Sequence, residues 1–198
     1  MSFITTVWEA IIATSLIEWL AVVSSIIYVV LAAKQLITCW LFGFIGSVLF
    51  VYLCYVGDLY IESILQLFYV VMAVVGWLTW KNPESDSTII KWGLNNHLIN
   101  IAISGAVAFI LGYLFDNYTN QANPYIDAFT TCYSLSATFM VTRKILGNWI
   151  YWIIIDLASI YLYAKQGYNL AAVQYVIFTL LALFAFMAWN KQYKVQNK

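Results

Sequence analysis

The sequence predicts an all-α integral membrane protein: seven transmembrane helices arranged as a 3+1+3 bundle of two parallel repeats. Three observations carry that expectation. The 198 residues are 64% hydrophobic and only 9% charged, whereas soluble domains carry about a quarter charged residues. Seven apolar runs approach the roughly 20 residues needed to cross a bilayer. The chain also repeats itself at an offset of about 109 residues, as when Lys34 is set against Arg143.

The runs fall at 15–33, 37–56, 60–80, 97–114, 125–142, 146–164 and 169–189. The first carries Glu18, Ser25 and Tyr28, and the second Gly43, Gly46 and Ser47. The third places Glu62, Gln66 and Tyr69 on one face. The fourth, which starts at the single histidine His97, connects the halves. The fifth carries Asp127, Thr131, Ser134 and Thr138, a polar stripe suited to a protein interior or to water rather than lipid. The sixth holds Trp149, Trp152 and Asp156, and the seventh Gln174 and Tyr175.

Basic residues sort by side. Lys34, Lys81, Lys91, Arg143, Lys144, Lys191, Lys194 and Lys198 fall on one side and Lys165 on the other. The positive-inside rule then places the N-terminus outside and the C-terminus in the cytoplasm. Trp40, Trp80, Trp149 and Trp189 lie near span ends, where an aromatic belt is expected.

In the repeat, Ala33-Lys34-Gln35-Leu36-Ile37-Thr38-Cys39-Trp40 parallels Thr142-Arg143-Lys144-Ile145-Leu146-Gly147-Asn148-Trp149. Glu18 parallels Asp127, Ser25 parallels Ser134, and Trp80 parallels Trp189. After a one-residue slip, Gln66 parallels Gln174. Three helices per copy plus one connector makes the copies parallel, a plan in which transporters hold substrate between halves. The expected units are residues 1–80 (first repeat), 81–124 (linker with connecting helix), and 125–198 (second repeat and short tail). Trp149, Trp152 and Asp156 correspond to Trp40, Gly43 and Ser47, so bulk and charge in one half face small residues in the other. Gly43 and Gly46 equally suit a small-residue helix contact.

Trp149, Trp152 and Asp156 stand at i, i+3 and i+7, which aligns two indoles and a carboxylate on one helix face. A carboxylate in hydrocarbon costs about 2.5–3.5 kcal/mol and marks a functional-site candidate. Two aromatic faces beside an anion suit a flat organic cation. Bland readings stand beside these. Glu62 and Asp127 sit near span starts, where a carboxylate is favourable at a helix N-terminus. Ser and Thr hydroxyls can bond their own backbone, and Gln66 with Gln174 can be helix glue.

Other classes are poorly served. Formal net charge is zero, so nucleic acid is not an expected partner. Cys39, Cys54 and Cys132 show no CxxC spacing, and with one histidine they suggest neither a disulfide frame nor a metal site. No HExxH, P-loop or dinucleotide fingerprint appears, and no nucleophile accompanies His97, so no enzyme and no cofactor is expected. The last span has no lysine before Lys191, which disfavours a retinal protein. No cleavage motif follows a short apolar opening, so no removable signal peptide is expected.

These residues resemble the PnuC family of bacterial vitamin transporters over nearly the whole chain. The matching stretches are Ile17-Glu18, Phe42-Gly43-Phe44-Ile45, Leu59-Tyr60, Ile64-Leu65-Gln66-Leu67-Phe68 and Gly76-Trp77-Leu78-Thr79-Trp80. The second half adds Val141-Thr142-Arg143-Lys144, Asn148-Trp149-Ile150-Tyr151-Trp152, Gly167-Tyr168 and Gln174-Tyr175. The resemblance implies a bundle related in plan to the SWEET sugar transporters. It implies facilitated diffusion of a dephosphorylated vitamin across the bacterial inner membrane, with a cytoplasmic vitamin kinase trapping it. Gln66, Trp149 and Trp152 match the family's substrate-lining positions. Members carrying nicotinamide riboside typically have asparagine where this chain has Asp156, and aspartate there looks more like the thiamine-transporting PnuT branch.

Thiamine is therefore the expected substrate and nicotinamide riboside the alternative. The expected binding set is Gln66, Trp149, Trp152, Asp156, Asn148, Thr131, Ser134, Glu62 and Tyr69. Expected partners are the vitamin, the lipid bilayer, the kinase and, as one candidate assembly, a homotrimer. Rival classes are a non-transporting vitamin-binding membrane subunit and a SWEET-like sugar carrier.

A fluorescent protein fused after Lys198 is expected to fluoresce, and alkaline phosphatase fused there to stay inactive. The opposite pattern would place the tail outside and sink the orientation.

Overall fold

In the computed structural model, residues 3–57, 60–81, 88–119 and 123–198 are described, so Leu59 and most of the two longer connections lie outside the account. Eight helices form among these residues, one more than the seven expected: α1 (Phe3–Ala13), α2 (Leu16–Ala33), α3 (Cys39–Val56), α4 (Tyr60–Lys81), α5 (Leu94–Tyr118), α6 (Pro124–Thr142), α7 (Asn148–Lys165) and α8 (Asn169–Gln196). α2 to α8 overlie the seven apolar runs. The addition, α1, has 11 residues, too few to cross a bilayer at 1.5 Å per residue. It packs on α8.

Five helices are long and apolar enough to span: those within 16–33, 39–56, 62–81, 94–118 and 169–196. α6 and α7 fall short because polar residues are spread along them. Those residues turn inward: Ser134, Thr138, Thr142, Asn148, Asp156 and Ser159 are all buried. Leu78, Phe109 and Phe184, by contrast, stand outward and exposed, as on a lipid-facing surface.

Helix packing is closed under exchange of the two halves. α2–α3–α4 pack in sequence, as do α6–α7–α8. The halves meet where α2 packs on α8 and α4 on α6, and exchanging the repeats turns one contact into the other. α5 packs its backbone on α6.

Turn chemistry repeats as well. A capping box starts α2: Ser15 Oγ accepts from the Glu18 amide at 3.3 Å, and Glu18 Oε2 accepts from the Ser15 amide at 2.6 Å. α2 and α6 end in matched left-handed residues, Gln35 at φ 55 and Lys144 at φ 51. At these ends the Leu36 amide donates to Leu31 O at 3.0 Å, and the Ile145 amide to Met140 O at 2.9 Å. That bond runs from the sixth residue back to the first, as in the Schellman helix stop.

Among the described residues, backbone hydrogen bonds strap the second turn and not the first. The Ile90 amide donates to Lys144 O at 3.0 Å and the Leu146 amide to Ile90 O at 2.8 Å, so the segment before α5 crosses the α6–α7 turn. Ile89 beside it is buried, and its amide donates to Gln196 Oε1 at 3.1 Å.

The main core sits at the end of the bundle carrying Lys34, Lys81, Arg143 and Lys144, here called the basic end. Trp40, Trp80, Trp149 and Trp189 converge there, 2%, 9%, 3% and 0% exposed. They form no belt, contrary to the sequence expectation. A belt needs indoles turned outward, and these turn inward over small residues. A Cβ on Gly76 would stand 2.3 Å from the Trp40 ring; the matched residue in α8 is Ala185, fully buried.

Gly76→Ala is therefore expected to displace Trp40 and cost about 1–3 kcal/mol. A thermal melt in detergent reads this as a lowered midpoint, and an unchanged midpoint would show that the contact yields freely.

Candidate functional site

A cavity of about 500 Å³ lies between the two halves. At the basic end it is lined by Trp40, Trp149, Ala73 and Ala182. At mid-depth it is lined by Tyr28, Gly43, Ser47, Gln66, Tyr69, Trp152, Asp156, Gln174 and Tyr175. Toward the opposite end it reaches Cys54, Glu62, Asp127, Thr130 and Tyr163.

Eight of the nine residues expected to bind face this cavity: Gln66, Trp149, Trp152, Asp156, Thr131, Ser134, Glu62 and Tyr69. Asn148 does not. It is fully buried in the α6–α7 turn, where Nδ2 donates to Ile145 O at 2.7 Å. Asn148 immediately precedes Trp149, and one helical step of 100° is enough to turn it away from the cavity.

Asp156 lies eight residues into α7, about 12 Å from its start by helical rise. It is 3% exposed and makes no hydrogen bond or ion pair among the described residues. Its carboxyl group thus faces the cavity without a protein partner among the described residues. Its repeat counterpart is Ser47, also in the lining. The repeat matches Trp152 with Gly43, also in the lining, where an added Cβ would meet the Tyr28 ring at 3.0 Å. At the position in α6 matching Tyr28, the second half has Ala137, fully buried. Each half therefore brings one large aromatic from a different helix, and the cavity is lopsided in both shape and charge.

The expected polar stripe of α6 is partly self-satisfied: Thr138 Oγ1 donates to Ser134 O at 2.8 Å. Glu18 is spent on its capping box and is absent from the lining. Gly46 packs against Ser24, Ser25 and Ala21 of α2, the small-residue contact left open by the sequence, while Gly43 both packs and lines. His97 Nδ1 lies 3.2 Å from Tyr151 Oη, outside the cavity.

The sequence reading missed Tyr163 and Phe178 in the lining. Tyr163 stacks on Tyr175, with centroids 5.3 Å apart and planes 11° off parallel. Tyr175 and Phe178 lie three residues apart on α8, a helical neighbour spacing that was available as a signal. Among the described residues, no group of three His, Cys, Asp or Glu gathers as for a metal.

Two matched helical halves around one mid-depth cavity, with aromatic walls and a few convergent polar groups, is the architecture of a small-solute membrane transporter. Comparison with known proteins agrees. A family model described as nicotinamide mononucleotide transporter matches residues 15–191. The nicotinamide riboside transporter PnuC of Escherichia coli (strain K12) is 26% identical, with 88% of this chain and 85% of the relative aligned. PnuC of Neisseria mucosa is 25% identical over 89% of this chain and 74% of the relative. The crystal structure of the vitamin B3 transporter PnuC shares the fold, with a TM-score of 0.76 and 22% identity over 97% of this chain and 90% of that one. The chain belongs to the nicotinamide mononucleotide transporter family, that of the PnuC proteins.

Asn148→Ala is expected to leave the affinity for a cavity-bound solute within about twofold, because its side chain serves the turn. An equilibrium fluorescence titration checks this, and a tenfold loss would return Asn148 to the binding set.

Proposed function

We propose that the protein is an inner-membrane facilitator for a flat cationic vitamin of the nicotinamide riboside kind. The observation that carries the reading is the Asp156 carboxyl group, buried in a cavity it shares with Trp149 and Trp152. A pyridinium stacked on an indole face gains cation–π attraction, and the carboxylate supplies the counter-charge. Gln66 and Gln174 can donate to and accept from hydroxyls, which suits a ribose. Glu62, Thr131, Ser134 and Tyr69 complete the polar lining on the way in.

Substrate choice moves from the sequence expectation. The relatives compared are named nicotinamide riboside transporters, which favours that vitamin over thiamine. The resemblance to the thiamine-transporting branch at one position keeps thiamine as a second reading. Asp156 stands where nicotinamide riboside carriers of the family typically have asparagine, and a carboxylate can pair with an aminopyrimidine as well as with a cation.

The proposed organisation is seven spans in a 3+1+3 plan, α2–α4 and α6–α8 around the connector α5, with units 1–80, 81–124 and 125–198. α1 lies outside the spans. Passage proceeds by rocking one half against the other, with the C-terminus in the cytoplasm and a kinase there trapping the vitamin. A homotrimer fits this plan, because the outer face of α5 is left open to lipid or to a neighbouring copy.

Two measurements test the reading. Counterflow in liposomes is expected to exchange labelled nicotinamide riboside; binding without exchange would indicate a sensor or assembly subunit instead. In tryptophan-quenching titrations, Asp156→Ala is expected to weaken a cationic vitamin at least about tenfold, the order of one charge–charge attraction in a partly desolvated site, and to spare a neutral analogue. Equal losses for both would remove the charge role. Quenching by thiamine alone would overturn the vitamin and leave the site.

A further inference from the structure

The cavity is lined at its basic end by Trp40 and Trp149, and Trp80 and Trp189 pack behind them in a geometry that obeys the repeat. Trp40 and Trp80 meet edge to face at 5.3 Å and 83°. Trp149 and Trp189 do the same at 5.3 Å and 89°. Trp80 and Trp189 touch across the halves at 6.5 Å. The four rings form one chain, Trp40–Trp80–Trp189–Trp149, across the basic end of the pathway.

Their N–H groups divide into two kinds. Trp80 Nε1, on α4, donates to Thr142 O at 3.1 Å, the last carbonyl of α6. Trp189 Nε1, on α8, donates to Ala32 O and Ala33 O at 3.1 Å, the last carbonyls of α2. These are the same bond made twice, and each joins one half to the other. Trp40 Nε1 and Trp149 Nε1, also matched by the repeat, are buried with no hydrogen-bond partner among the described residues.

We propose that these four tryptophans are the gate of the pathway at its basic end, the cytoplasmic one in the orientation above. Two of them are latches, and two are donors that become satisfied only when the gate opens. The inference rests on the transport reading but not on the vitamin. Rocking the halves apart separates α4 from α6 and α8 from α2, so both latches break in one movement. The same movement frees Trp40 and Trp149, whose N–H groups then meet water or an oxygen acceptor on the passing solute. Loss of two bonds is offset by relief of two stranded donors, which lets a carrier without an energy source visit both states.

The arrangement predicts opposite signs for chemically identical substitutions. The test uses Ala73→Cys, on the cavity side of the rings, in a background with Cys39, Cys54 and Cys132 replaced by serine. A membrane-impermeant thiol reagent is applied at the basic end in inside-out vesicles. Trp80→Phe and Trp189→Phe each remove a latch and keep a ring, and each is expected to speed labelling about threefold to tenfold, with the two effects multiplying in the double variant. Trp40→Phe removes a stranded donor and is expected to slow labelling. If all three single variants change labelling in the same direction, the rings are only packing and the gate is overturned.

Should the double variant fail to melt cooperatively, the Trp189→Phe and Trp40→Phe pair decides alone by its signs. Labelling that follows these signs without nicotinamide riboside exchange supports the gate and overturns only the vitamin. Exchange at the parental rate with unchanged labelling in both latch variants overturns the gate and leaves the vitamin.

Discussion

The last carbonyls of a helix have no partner of their own, and in a membrane protein no water in the hydrocarbon region satisfies them. α2 and α6 end inside the bundle, and each solves the problem the same way. A left-handed residue, Gln35 or Lys144, reverses the chain, and an indole from the other half donates to the carbonyl left over. A hydrogen bond of this kind contributes about 0.5–1.5 kcal/mol net, but leaving the acceptor bare costs about 1–3 kcal/mol. The two bonds thus fix where α4 sits on α6 and α8 on α2. Those contacts in turn set the width of the cavity between the halves. The edge-to-face ring pairs pack onto this frame and close its end.

Symmetric scaffolding carries an asymmetric interior. The turns, the latches and the ring pairs all respect the repeat, while the mid-depth lining departs from it. Asp156 takes the place of Ser47 under the repeat and Trp152 that of Gly43, and all four line the cavity. The aromatic missing from α3 is supplied by Tyr28 of α2, whose counterpart in α6 is Ala137. The large aromatic thus comes from α7 in one half and from α2 in the other, and the cavity gains an acidic side chain on one side only at this depth. A ligand with one cationic ring and one polar end finds a single orientation there.

The halves also differ in how firmly they are held. The Ile90 strap binds the α6–α7 turn, and Lys144 places its ammonium 4.9 Å from the centre of the Trp80 ring. α5 adds side-chain ties, with Tyr133 Oη donating to Ile101 O at 3.0 Å and Ser136 Oγ to Asn100 Oδ1 at 2.8 Å. At the matching place in the first half, Gln35 Nε2 donates to Gln192 Oε1. One connector cannot serve both halves, so the second is the more tightly braced.

Much of this was legible in the sequence. Apolar length located helices α2 to α8, five of them long and apolar enough to cross a membrane, though α8 runs seven residues past its apolar run. The offset of 109 residues, seen in Lys34 against Arg143, foretold the matched turns. The spacing of Trp149, Trp152 and Asp156 put them on one face, and the structure turns that face to the cavity. What the sequence left open was decided by rotation about helix axes. Trp40, Trp80 and Trp189 occur near span ends, where indoles can turn to the interface or to the interior, and composition is the same for both. Asn148 and Trp149 are neighbours in the chain, yet one helical step sends the first into a turn and the second to the cavity. Sequence determined the class, the elements and the repeat through local length and periodicity. Which side chains meet across the halves was decided by the tertiary structure alone, because such contacts depend on how helices from distant parts of the chain rotate against one another.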